Sequence, residues 1–171
     1  MIAVASLARF PRFIPLLADA FAREWPAWAL SVSRAELEAI FAAGSDGALP
    51  VVLVALEDDR VVGTVALRQW FAEEPMRETP WVRQLYVFSE RRGRGVDRAL
   101  MAAIEERARR LGYRELHAAT NRIEPLLLRR GWQVFHRVAP PGEPMAWLRK
   151  SIKGSDSNIQ GRESPKPNIG V

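Results

Sequence analysis

The stretch Leu85-Tyr86-Val87-Phe88-Ser89-Glu90-Arg91-Arg92-Gly93-Arg94-Gly95-Val96-Asp97-Arg98-Ala99-Leu100-Met101 decides how the rest of the chain is read. It runs from an apolar strand through a basic glycine turn into a helix. Glycines at such a turn let backbone N–H groups converge at a helix N-terminus, a place that favours an anion such as a phosphate. Arg91, Arg92, Arg94 and Arg98 add positive charge at the same spot. On this stretch alone, a phosphate cradle and a plain strand-to-helix turn stand about equal.

Working outward, Val96, Leu100, Ile104, Ala108 and Leu111 recur at helical spacing. Glu105/Arg109 and Glu106/Arg110 sit four apart in the favourable order, and Gly112 closes the helix. Before the turn, Trp81 to Val87 is too apolar on both faces for a surface edge, which predicts a central strand. Val51 to Leu56 and Val61 to Leu67 flank the polar turn Glu57-Asp58-Asp59-Arg60 and read as a β-hairpin. Residues Trp70 to Thr79, with Glu73, Glu74 and Glu78, read as an acidic loop. Nearer the start, Ile2 to Leu7 is a first strand and Pro11 to Trp25 a helix. The loop Glu24 to Trp28 carries Trp25 and Trp28, and Ser33 with Glu36 forms a capping-box signature for a helix over Arg34 to Ala43. Downstream come a strand at Arg114 to Thr120, a short helix at Asn121 to Arg130, and strands at Trp132 to Val138 and Met145 to Leu148. From Ser151 to Val171 large apolar residues become scarce, so a domain over 1–150 is expected to carry a mobile tail.

Composition narrows the chemistry. A chain of 171 residues suits one well-buried domain. There are no cysteines, which excludes disulfides, thiolate metal sites and cysteine nucleophiles together. With His117 and His136 the only histidines, no metal is expected. Neither a secretory signal nor an apolar run of about 18 residues is present, so the expectation is a cytoplasmic protein with no membrane partner. The net charge of +5 comes mostly from arginine without interleaved aromatic blocks, and nucleic acid is not favoured as a partner.

With the elements in this order, three stretches resemble the GNAT superfamily of acetyl-CoA-dependent N-acetyltransferases. Thr79-Pro80-Trp81 through Leu85-Tyr86-Val87 is similar to that family's fourth strand. Arg92-Gly93-Arg94-Gly95-Val96-Asp97 is similar to its pyrophosphate loop, and Leu128-Arg129-Arg130-Gly131-Trp132 to its short helix ending in Gly-Phe or Gly-Trp. The resemblance implies an α+β fold: a mixed, mostly antiparallel sheet of six to seven strands with about four helices on both faces. It also implies acetyl-CoA as co-substrate, with the pantetheine arm against the backbone of Leu85, Tyr86 and Val87. The pyrophosphate would sit on the N–H groups of Gly93, Arg94, Gly95, Val96, Asp97 and Arg98, with Arg92 or Arg94 adding charge-assisted contacts.

By that resemblance a primary amine of a small molecule or peptide attacks the thioester directly. A strand N–H, that of Leu85 or Tyr86, would polarise its carbonyl. Candidate catalytic side chains are Tyr86, near the thioester, and Glu74 and Glu78, with Glu73, on the substrate side; His117 could take a proton through water. Glu73, Glu74 and Glu78 beside Trp25 and Trp28 would suit a cationic acceptor. Two departures stand out. Leu127 occupies the usual tyrosine position, and Asp97 replaces a small residue, where it reads as a helix N-cap or as a carboxylate opposing the phosphates unless it turns toward Arg94 or Arg98. These departures support the alternative of a catalytically weak acyl-CoA-binding or protein-interaction module. The final strands and the tail are the surfaces open to a homodimer.

Overall fold

A computed structural model of the protein describes residues 1–69, 79–139 and 144–153. Seven strands form one sheet: β1 (Ala3–Ser6), β2 (Val51–Glu57), β3 (Arg60–Arg68), β4 (Trp81–Val87), β5 (Glu115–Thr120), β6 (Gln133–Val138) and β7 (Met145–Ser151). Their order is β1-β2-β3-β4-β5-β7-β6, so β4 is the middle strand, as its two-sided apolar sequence requires. Only β4 and β5 run parallel; every other neighbour is antiparallel. The helices among the described residues are α1 (Ile14–Glu24), the single turn α2 (Pro26–Ala29), α3 (Arg34–Ala42), α4 (Val96–Arg110) and α5 (Glu124–Arg129).

Local chemistry sets most of these limits. Asp58 and Asp59 take φ of 49° and 59°, the left-handed pair of a two-residue hairpin turn that aspartate tolerates. The capping box of α3 is formed: the Ser33 hydroxyl accepts from Glu36 N–H at 3.2 Å, and the Glu36 carboxylate accepts from Ser33 N–H at 2.7 Å. Hydrogen bonding to the Ser33 side chain, and then to its backbone N–H, holds the Glu36 carboxyl below its usual range. Residues 26–29, expected as part of a loop, make a helical turn because Pro26 presets its first φ.

Apolar residues fill both faces of the sheet. Leu53, Val65, Leu100, Ile104, Leu127 and Trp132 form the core beneath α4 and α5. Leu17, Phe21, Phe41, Val54 and Ala66 form a second core beneath α1 and α3. Glu105 keeps the expected helical ion pair with Arg109 and adds a second partner from the sheet. Its carboxylate is buried against the sheet and takes Lys150 of β7 at 2.8 Å, while Arg109 stays 3.8 Å away. Strand β7 also runs past the expected end of the domain: Ile152 is buried and its N–H donates to Arg114 C=O at 2.8 Å.

Candidate active site

The parallel pairing of β4 with β5 is confined to Trp81–His117 and Val82–Ala118. Just beyond it, Arg83 opposes Ala66 and Tyr86 opposes Thr64, so Gln84 and Leu85 both stand against Val65 in a bulge. Gln84 takes φ of 55°, and a bulge of this kind bends its strand. Strand β5 meanwhile continues along β7, through Ala119–Trp147 and Thr120–Ala146. The two parallel strands therefore part, and a gap opens between them. Phe88 N–H donates to Val62 C=O at 3.1 Å, so by antiparallel alternation the polar backbone of Val87 faces the gap. Arg68 pins the bulge by donating from Nε to Gln84 Oε1 at 2.8 Å and to the Ile40 carbonyl of α3. Gly63 is required beside it, because a Cβ there would lie 2.7 Å from the Tyr86 carbonyl oxygen.

At the open end of the gap sits the glycine turn. Ser89–Arg91 form a 3-10 turn, and Gly93 and Gly95 take φ of 75° and 83°, a region closed to most side chains. Gly95 is the N-cap of α4, whose first bond runs from Ala99 N–H to the Gly95 carbonyl at 3.0 Å. The N–H groups of Val96, Asp97 and Arg98 are thus left without intrahelical acceptors, the condition for holding an anion. Arg94 and Arg98 are exposed beside them. Arg92 donates from Nε to Val87 C=O at 2.9 Å, which ties the loop to β4.

Asp97 is not the N-cap, and it turns toward neither Arg94 nor Arg98. Its carboxylate pairs with Arg130 at 2.7 Å, where the chain leaves α5. The geometry explains this: Gly95 already occupies the cap position, and Asp97, two residues on, faces the end of α5. Its charge is balanced away from the loop amides. Leu127 is fully buried in the core under α4, so the position where the resemblance would place a proton donor is used for packing.

Glu24, at the end of α1, spans the mouth of the gap. One carboxylate oxygen meets Arg92 at 3.0 Å and the other meets Arg122, just past β5, at 3.4 Å. Tyr86 lies beneath this bridge, its ring 5.5 Å from Phe21, 5.9 Å from Trp25 and 5.2 Å from Phe88. Burial, and then the Glu24 charge, push the Tyr86 phenol above its usual range. Leu85 and Val87 project to the opposite face, against the α4 core.

At the closed end, the sheet face that carries α1 and α3 continues across β4, β5, β7 and β6 as an aromatic floor. Trp81 meets His117 at 5.1 Å and Trp147 at 5.4 Å, both edge to face. Phe135 lies 4.9 Å from His117; it belongs to a second bulge, in β6, where Phe135 and His136 together oppose Trp147. Arg83 shares this face, and burial followed by the neighbouring Arg68 charge pushes its guanidinium down to about 10. Alternation within each strand could have placed Trp81 with Arg83, or His117 with Glu115. The register that joins the strands is tertiary, and the floor was not foreseen as a unit. Glu73, Glu74 and Glu78 fall outside the described residues, as does the side chain of Trp28. Among the described residues no group of three metal-binding side chains occurs, and no helix is long and apolar enough to cross a membrane.

The sequence profile of the acetyltransferase (GNAT) family matches residues 14–128. Comparison with curated proteins gives no match. Among solved structures, an aminoglycoside 6'-acetyltransferase type Ii superposes with a TM-score of 0.70 at 18% identity, covering 90% of this chain and 98% of that one. A Salmonella typhimurium protein solved with its cofactor acetyl-CoA gives 0.71 at 17% identity, over 91% and 96% of the two chains. An aminoglycoside 6'-N-acetyltransferase complexed with coenzyme A gives 0.71 at 15% identity, over 91% and 99%. At these identities the likeness is one of fold.

Proposed function

The chain belongs to the GNAT acetyltransferase family, and we propose that it moves the acetyl group of acetyl-CoA onto a primary amine of a small molecule, or of a peptide, by direct attack. The observation that carries this reading is the coincidence of a strand gap, a bulge and a glycine turn along one strand. Pairing of β4 with β5 stops at Val82–Ala118, β4 bulges at Gln84, and the left-handed Gly93 and Gly95 turn follows directly. A pantetheine arm fits along Leu85, Tyr86 and Val87, on the side of β4 that β5 leaves. The diphosphate fits Gly93, Arg94, Gly95, Val96, Asp97 and Arg98, with Arg92 as counter-charge. Asp97 does not oppose it, because Arg130 already holds that carboxylate.

Two roles follow for this chain's own groups. Of the two strand N–H groups expected for this role, that of Leu85 lies in the bulge and stabilises the oxyanion formed on attack, while Tyr86 stands opposite Thr64 of β3. The Tyr86 phenol, raised above its usual value of 10, is a poor donor to a thiolate whose reference pKa is about 8.5. We therefore assign Tyr86 to the pocket wall and let the sulfur leave as thiolate. Glu74 and Glu78 stay in the proposal as acids that draw a cationic acceptor to the loop before β4.

Calorimetric titration with acetyl-CoA, followed by a thiol-release assay over a panel of primary amines that includes aminoglycosides, tests this reading. Saturable binding with amine-dependent thiol release is expected. No binding at millimolar acetyl-CoA would overturn it. Binding without release across the panel would favour the acyl-CoA-binding module, the reading that the buried Leu127 supports.

A further inference from the structure

Arg92 stands where a bound cation would stand. Its Nη2 donates to Glu24 Oε2 at 3.0 Å, and its guanidinium carbon lies 5.8 Å from the centre of the Tyr86 ring. Arg122 holds the other Glu24 oxygen at 3.4 Å. Trp25, next in the chain after Glu24, meets the Tyr86 ring edge to face at 5.9 Å. A carboxylate beside aromatic rings suits an ammonium, because one supplies charge and the other a ring quadrupole. This cradle is open to solvent: the side chains of Glu24, Arg92 and Arg122 are 26%, 49% and 57% exposed.

Arg92 is an exchangeable occupant of that place. Two anions claim the same guanidinium: Glu24, which it meets here, and the diphosphate to which the reading above assigns it as counter-charge. A diphosphate carries more charge than a carboxylate and draws the guanidinium more strongly. The Arg92 Nε also covers the Val87 carbonyl at 2.9 Å, on the backbone that faces the gap. Once Arg92 turns away, Arg122 still holds Glu24 by Oε1, and Oε2 is open beside the Tyr86 ring. Of the charges around the Tyr86 phenol, that of Glu24 acts on it most strongly, ahead of Arg92, Arg23 and Glu90.

We propose that Glu24, with the rings of Tyr86 and Trp25, is a cation subsite for the acceptor, occupied by the chain's own Arg92 until that guanidinium turns to the diphosphate; this rests on the acetyltransferase reading above. An ammonium paired with a carboxylate keeps its proton and has no lone pair for attack. The nitrogen held by Glu24 is therefore not the one acetylated. The acceptor is a diamine or polyamine: one ammonium sits on Glu24, and a second amino group attacks beside Leu85. Glu24 takes no proton. Arg122 only fixes its carboxylate and is a positioning residue.

Calorimetry on the parent and the isosteric Glu24→Gln protein tests this without turnover. Glu24→Gln should bind coenzyme A about threefold more tightly, because Arg92 no longer has a carboxylate to leave. The four-carbon α,ω-diamine should bind the parent about fivefold more tightly with coenzyme A present than without it, and Glu24→Gln should abolish that gain. In the thiol-release assay the same diamine should exceed butylamine about fivefold in kcat/KM, an advantage that Glu24→Gln removes. Coenzyme A binding that does not tighten in Glu24→Gln, or a diamine that binds the parent equally well with and without coenzyme A, would overturn the proposal. So would a diamine advantage that survives the substitution. Thiol release from no amine would count against the acetyltransferase reading alone, and the calorimetric results would still decide the subsite. Failure of the parent to bind coenzyme A would overturn both.

Discussion

At the open end of the β4–β5 gap, the proposed anion site is made of backbone N–H groups from one unbroken stretch, Arg92 to Arg98. At the closed end, an aromatic floor is made of side chains: Trp81 from β4, His117 from β5, Phe135 from β6 and Trp147 from β7. A phosphate asks for little more than converging N–H groups and positive charge, which one glycine turn can supply. A floor of interlocking rings asks for shape, which needs residues far apart in sequence. The first kind of site survives changes in the surrounding side chains, whereas the second depends on strand register.

Four perturbations would break or sharpen that contrast. The largest effect is expected at Leu127, where core packing replaces a chemical group. Leu127→Ala should lower the unfolding free energy by about 2–5 kcal/mol, read by urea denaturation, whereas Leu127→Met should cost under about 1.5 kcal/mol. A neutral Leu127→Ala would mean that this side chain contributes no core packing. Next comes Gly95→Val, which places a branched side chain at a φ of 83°. Calorimetry should show acetyl-CoA binding weakened tenfold or more, with the acceptor KM unchanged. A raised acceptor KM would show that the two ends are not separable.

A smaller effect is expected from Arg130→Ala. Freed from its 2.7 Å partner, Asp97 would face the loop and weaken acetyl-CoA binding about threefold. The double variant Asp97→Ala/Arg130→Ala should recover most of that loss. If both variants bind equally well, the pair is only a strut. The smallest effect is the acid response of the scaffold. Glu36, Glu106 and Glu124 are all held below the usual 4.5, first by hydrogen bonds to Ser33, Arg110 and Arg137 respectively. Because the folded values are depressed, their contribution is present above about pH 4.5 and is lost as pH falls through the folded values. Urea midpoints should be flat from pH 7 to 5 and drop below pH 4; a midpoint that rises on acidification would contradict these contacts.

Legibility in the sequence followed locality. The hairpin at Asp58–Asp59, the capping box at Ser33–Glu36 and the helix from Val96 were each readable because the deciding atoms lie within four residues of one another. Asp97 escapes such local rules for the opposite reason. Its partner, Arg130, is 33 residues away, and no spacing rule links them. The same holds for the second partner of Glu105: beside its helical neighbour Arg109 it takes Lys150, 45 residues on. The acids of the β3–β4 loop, readable as residues, have no described place to be set against the floor.

By itself, the sequence determined the order of the elements, the central place of β4 and the glycine turn, because periodicity, turn chemistry and backbone freedom act over a few residues. Only the tertiary structure decided that β4 and β5 part after Val82, that Arg130 neutralises Asp97, and that His117 meets Trp81 and Phe135. Those outcomes depend on bulges and register between strands, which are settled by packing the whole sheet against its helices at once.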